Sequence, residues 1–189
     1  MKALITVAVL IILYVTKSYA NDTAVGYANP IPAVDFAQIS KRPTESHLFT
    51  SDNSPEEWCL AQNIYYEARS SNRADQAAVA DVVLNRVKDS RYPSTICKVV
   101  TQGKQHASGQ MVRNKCQFSW YCDGKSDWPT DQDAWINAQY MAYMMVWHKE
   151  YRGITEGSTH YHAKYVSPSW ANDFQLVGRI GEHIFYRWN

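Results

Sequence analysis

The stretch "ADQAAVADVVLNRV", residues 74–87, constrains the fold more than any other. Its residues are small and apolar around most of a helical circumference, and a helix of that kind has no face suited to water. It must be enclosed on several sides, which makes it the central helix of one core. The interruptions, Asp81 and Asn85, are spaced i, i+4 and read as a polar stripe closing local hydrogen bonds. A chain of 189 residues with 46% hydrophobic content can build one such core and has little left for a second.

The first twenty residues read as a processing signal, with Lys2 ahead of an apolar run from Ala3 to Val15 and small residues, Ser18 and Ala20, at the cleavage positions. The run is too short to span a bilayer well, so cleavage after Ala20 and no stable membrane insertion afterwards are expected. The destination is the periplasm or the wall outside the cell. Cys59, Cys97, Cys116 and Cys122 agree with export, being even in number and containing no Cys-x-x-Cys pair. Three pairings are open to them. Cys116 and Cys122 flank a short segment able to fold back on itself, which favours Cys116–Cys122 and leaves Cys59–Cys97.

Residues 21–53 hold Pro30, Pro32 and Pro43 with no sustained apolar period and read as an irregular lead-in. The domain, 54–189, then opens on "SPEEWCLAQNIYYEAR". Ser54 stands as N-cap, Pro55 at the first helical position and Glu57 where a capping box places its acid. At 100° per residue Leu60, Ala61, Ile64, Tyr65 and Ala68 form one apolar arc, and Glu67 sits a step outside it beside Leu60. Such an edge position packs the stem on the core and turns the carboxylate toward a cleft; spacing alone more often means a solvated glutamate. A short helix is expected from Ser94. Another is expected from Thr130 as N-cap, with Ala134, Ala138, Met141, Ala142 and Met145 as a core stripe. "THYHAKYV" and "GEHIFYRW" read as a small C-terminal hairpin.

The near-neutral charge, +1, excludes an electrostatic footprint for nucleic acid. Seven Trp and thirteen Tyr suit packing and also sugar rings. Taken in order, "LAQNIYYEARSSNRADQAAVADVVLNRV", "YPSTICKVV", "CQFSWYCDG", "THYHA", "PSW" and "GEHIFYR" resemble the catalytic domain of SleB-type cell wall hydrolases, the spore-cortex-lytic enzymes and their bacterial and phage relatives. The resemblance implies an α+β, mostly α, small lysozyme-like (lytic transglycosylase-like) domain that cuts peptidoglycan glycan strands; a monomer without cofactor or metal is expected. It implies that Glu67, in the "EAR" block, is the essential acid. Relatives commonly follow that block with a glycine and a second acid, where this chain has Ser70 and Ser71. Asp75 and Asp81 are weak substitutes.

One acid suffices for a lytic transglycosylase, whereas hydrolysis calls for two carboxylates flanking the bond. Gln117, Ser119 and Tyr161 are candidate partners for the sugar's N-acetyl and hydroxyl groups, and Phe118 or Trp120 for a wall; loop and core packing explain the same residues equally well. Two other classes compete. His160 and His162, with His183 or Asp173, suggest a zinc amidase or peptidase, although no helix carries a His-x-x-x-His pair. A non-catalytic peptidoglycan-binding module would use the same aromatics.

Overall fold

The computed structural model describes residues 54–189; the expected signal segment and lead-in lie outside the described residues. Helix α1, Pro55–Ala68, packs on α2, Arg73–Lys88, on the short α3, Ile96–Val100, and on α4, Gln132–Tyr143, which runs on into a π-helical turn, Met144–His148. A two-stranded antiparallel ribbon, β1 (Gly103–Gln105) with β2 (Met111–Cys116), projects between α3 and α4 in the chain. The last part forms β3 (His160–Ala163), β4 (Gln175–Ile180) and β5 (His183–Arg187), in the order β3-β5-β4, antiparallel throughout. Among the described residues no helix is long and apolar enough to cross a membrane.

Helix α2 is central, as its composition requires. It is buried without a break from Asp75 to Leu84. Ala77, Ala80, Val83 and Leu84 join Leu60, Ile64, Val99, Ala138, Met141 and Met145 in the helical core. Ala78 and Val82, on the opposite side, meet Phe185 of the sheet. Each large side chain buried in this way contributes about 1.5–3 kcal/mol. The Asp81–Asn85 stripe closes on the segment behind it. Asp81 accepts from Arg152 Nε at 3.0 Å, from the Gly153 and Thr155 amides and from the Thr155 hydroxyl at 2.6 Å, while Asn85 reaches the Ser158 carbonyl.

Three local expectations need correction. Ser54 caps α1 without a side-chain hydrogen bond. The carboxylate of Glu56, the residue before the expected capping-box acid Glu57, accepts from the Ile96 and Cys97 amides, capping α3 and tying it to α1. The N-cap of α4 is Asp131, whose side chain accepts from the Ala134 amide, one residue past the expected Thr130; the amides of both residues donate to the Tyr65 hydroxyl. The C-terminal pieces do pair, His160 opposite Tyr186, but "GEHIFYR" is the middle strand: Gln175–Ile180 supplies a third, which the sequence reading missed. Cys59–Cys97 joins α1 to α3, and Cys116–Cys122 ties the end of β2 to the 3-10 turn Ser119–Cys122 that follows it.

Candidate active site

Glu67 occupies the last turn of α1, partly buried, and its Oε2 accepts a hydrogen bond from the Tyr161 hydroxyl at 3.1 Å. The two come from different layers. The apolar arc of α1 fixes the rotation of the helix, with Leu60, Ile64 and Tyr65 essentially inaccessible. Strand alternation turns Tyr161 inward, between His160 and His162, onto the face shared with Phe185. Burial pushes the Glu67 carboxyl above its usual range, and Tyr161, His183 and Arg86 pull it partway back. Burial also holds the Tyr161 hydroxyl well above its ordinary pKa, so it stays a donor.

Two further groups face this pair. Arg86, 5% exposed, donates from Nε to the Thr159 carbonyl at 2.8 Å and lies over the rings of Tyr92 and Phe118. Its Nη1 has no hydrogen-bond partner among the described residues. His183 packs edge-on against Tyr161 and its Nδ1 meets Asp75 Oδ1 at 2.8 Å. Asp75 also accepts from the Glu182 amide, and the Ser71 side chain hydrogen-bonds to it. Burial would raise the Asp75 carboxyl, but these bonds outweigh it and hold it below the ordinary value. Gly181, at φ +56, permits the arrangement, since a Cβ there would come within 2.6 Å of the Asp75 side chain.

The other sequence candidates divide clearly. Phe118 and Trp120, 3% and 8% exposed, are core residues rather than an open wall. Trp120 stacks on Tyr66 and donates to Asn63 Oδ1. Gln117 and Ser119, beside them in the chain, are exposed. Asp75 and Asp81 are wholly buried and spent on internal bonds, which disqualifies both as the second acid. His160 and His162 belong to an aromatic layer on the other face of the sheet. His160 stacks on Phe174 at 4.1 Å, and burial lowers its pKa to about 4; His162 Nε2 meets the Tyr186 hydroxyl and its Nδ1 the Ala163 carbonyl. His183 lies on the opposite face with Asp75. No three His, Cys, Asp or Glu side chains gather as a metal site among the described residues, because strand alternation separates these histidines. Sequence reasoning missed Arg86 as a site residue, though a cation within the enclosed helix α2 was the available signal.

The helical layers with the small sheet packed against them form a lysozyme-like fold. The family model for cell wall hydrolases matches residues 70–186, and the chain belongs to that family. The match begins at Ser70, so Glu67 stands just ahead of it. Among solved structures the chain is similar to the catalytic domain of the germination-specific lytic transglycosylase SleB from Bacillus anthracis, at 22% identity over 70% of this chain and 93% of that one, with a TM-score of 0.52. It is likewise similar to the catalytic domain of the SleB protein of Bacillus cereus, at 24% identity over 71% and 91% of the two chains, with a TM-score of 0.51. No curated protein sequence matches the chain.

Proposed function

We propose that this cell wall hydrolase cleaves the glycan strands of peptidoglycan as a lytic transglycosylase, with Glu67 serving first as acid and then as base. The observation that carries the reading is the partly buried Glu67 carboxyl, raised by burial and fixed by Tyr161, with Asp75 and Asp81 both committed elsewhere. The similar B. anthracis protein is a lytic transglycosylase, which supports the same choice.

The protonated Glu67 gives its proton to the glycosidic oxygen as the bond from that oxygen to the muramoyl anomeric carbon breaks. The 6-hydroxyl of the same sugar then attacks the anomeric carbon and surrenders its proton to the Glu67 carboxylate. A 1,6-anhydro ring forms, no water is consumed and the acid is restored. Attack within one ring has the advantage of a tethered nucleophile. Tyr161, donating to Oε2, leaves Oε1 to carry the proton. Arg86 and His183 favour the carboxylate during the interval between the two transfers. Gln117 and Ser119 are proposed to meet the N-acetyl and hydroxyl groups of the sugar. The activity places the protein outside the cytoplasm, where its substrate lies, in keeping with its two disulfides.

Mass spectrometry of fragments released from purified sacculi tests the reaction. Muropeptides ending in anhydromuramic acid, one water lighter than reducing ends, are expected, with yield unchanged by chelator. Reducing ends alone would overturn the transglycosylase reading, and release of stem peptides without glycan cleavage would overturn glycan cutting altogether.

A further inference from the structure

Charge is segregated along the chain. Residues 90–122 include Arg91, Lys98, Lys104, Arg113 and Lys115 and contain no Asp or Glu. Every acidic residue of the described chain lies outside this stretch. The structure presents much of the segment as one element, the β1–β2 ribbon with α3 at its foot. Lys98, Lys104, Arg113 and Lys115 are all exposed there. Arg113 is spoken for by the Asp123 carbonyl and Arg91 by Asp89. Ion pairs among the described residues leave Lys98, Lys104 and Lys115 out.

Lys104 and Lys115 each adjoin the Gly103–Cys116 cross-strand pair, so two unneutralised cations stand on neighbouring strands. Like charges so placed repel and weaken a ribbon. The Cys116–Cys122 disulfide anchors the end of β2 to the 3-10 turn Ser119–Cys122. From Cys116 the chain passes directly to Phe118, whose ring lies against the Arg86 guanidinium beside Glu67. The basic element is therefore rooted at the candidate active site.

We infer that this ribbon is an anion-binding rail for the peptide stems of the wall, with Lys98, Lys104 and Lys115 pairing with stem carboxylates while the glycan lies at Glu67. The inference rests on the proposed glycan-cleaving function and adds to it the part of the substrate that the ribbon recognises. Peptidoglycan stems project from the muramoyl units that the proposed reaction cuts, and they carry free carboxylates. An anionic membrane would offer charge as well, but a membrane-seated element needs an exposed apolar face. The exposed large apolar side chains of the described residues, Trp128, Trp147, Tyr165, Val166, Leu176 and Trp188, all lie off the ribbon.

The test separates binding from cutting. In a Glu67→Gln background, pelleting with sacculi whose stems bear free carboxylates is compared with pelleting on the same sacculi after carbodiimide and glycinamide have converted those carboxylates to neutral amides. Replacing Lys98, Lys104 and Lys115 together by Gln should weaken binding to the untreated sacculi about tenfold, leave binding to the amidated sacculi unchanged, and flatten the salt dependence. Equal losses on both substrates, or no loss on either, would overturn the rail. So would a loss confined to phosphatidylglycerol vesicles. With Glu67 restored, the triple variant should cut the amidated sacculi at the wild-type rate. Failure of the wild type to release glycan would instead count against the proposed function, independently of the binding result.

Discussion

The Tyr161 hydroxyl donates to Glu67 Oε2 at 3.1 Å, joining a strand of the C-terminal sheet to the end of the first helix. Residues far apart in sequence thus fix one oxygen of the carboxyl and leave the other for chemistry. Because the bond favours the charged form, Tyr161 opposes the effect of burial on Glu67.

Glu67→Gln should reduce release of glycan fragments by at least about 100-fold, the lower end of what a general acid contributes. Its stability should differ from wild type in a pH-dependent way. The folded pKa of Glu67 is raised, so the wild type loses stability as pH rises through that value, and Gln does not. Denaturant midpoints should therefore favour the variant at neutral pH, with the gap closing in acid. Wild-type activity in a folded Glu67→Gln protein would refute the assignment.

Tyr161→Phe keeps the ring and removes the donor. The Glu67 pKa should rise, carrying the alkaline limb of kcat/KM to higher pH, while kcat falls about tenfold through lost positioning. A pH–rate profile distinguishes this from a role in sugar binding, which would raise KM and leave the limb in place.

Asp75→Asn leaves His183 and the Glu182 amide facing a weaker acceptor in a buried site and should cost about 2–4 kcal/mol. The Asp75 carboxyl has a lowered folded pKa, so its contribution is present above the unfolded value and disappears as pH falls through the folded one. Thermal unfolding of the two proteins should differ most near neutrality and converge in strong acid.

Reduction of the disulfides should lower Tm by on the order of 10 °C, most of it from the Cys59–Cys97 bond. That bond spans 38 residues, against 6 for Cys116–Cys122. Cys59→Ala/Cys97→Ala should reproduce most of the shift, whereas Cys116→Ala/Cys122→Ala should chiefly loosen the turn that follows β2. Non-reducing peptide mapping checks the pairing.

The sequence made the helical part legible because burial there is periodic. The arc from Leu60 to Ala68, the enclosed α2 and the Ala138–Met145 stripe all follow from spacing, and the structure buries them. Caps were less readable: Glu56 and Tyr65 serve segments distant in the chain, and local rules see only neighbours. Strand β4 was missed because "QLVGRI" lies half exposed at a sheet edge and contains a glycine at its register irregularity. At the site, Glu67 was visible through resemblance, whereas Arg86 and the Asp75–His183 pair depend on contacts between layers that no window of sequence contains.

The enclosure of α2 also governs how the molecule comes apart. Its Ala78 and Val82 side is covered chiefly by the strands that arrive last in the chain, with Ile154 of the segment before them. A fragment ending before β3 would show that side to water and lose Tyr161 with it. The helices and sheet should accordingly melt in a single transition. Proteolytic nicking within residues 149–158, where the Asp81 carboxylate gathers the connecting segment, should release no smaller unit that retains the ability to cut the wall.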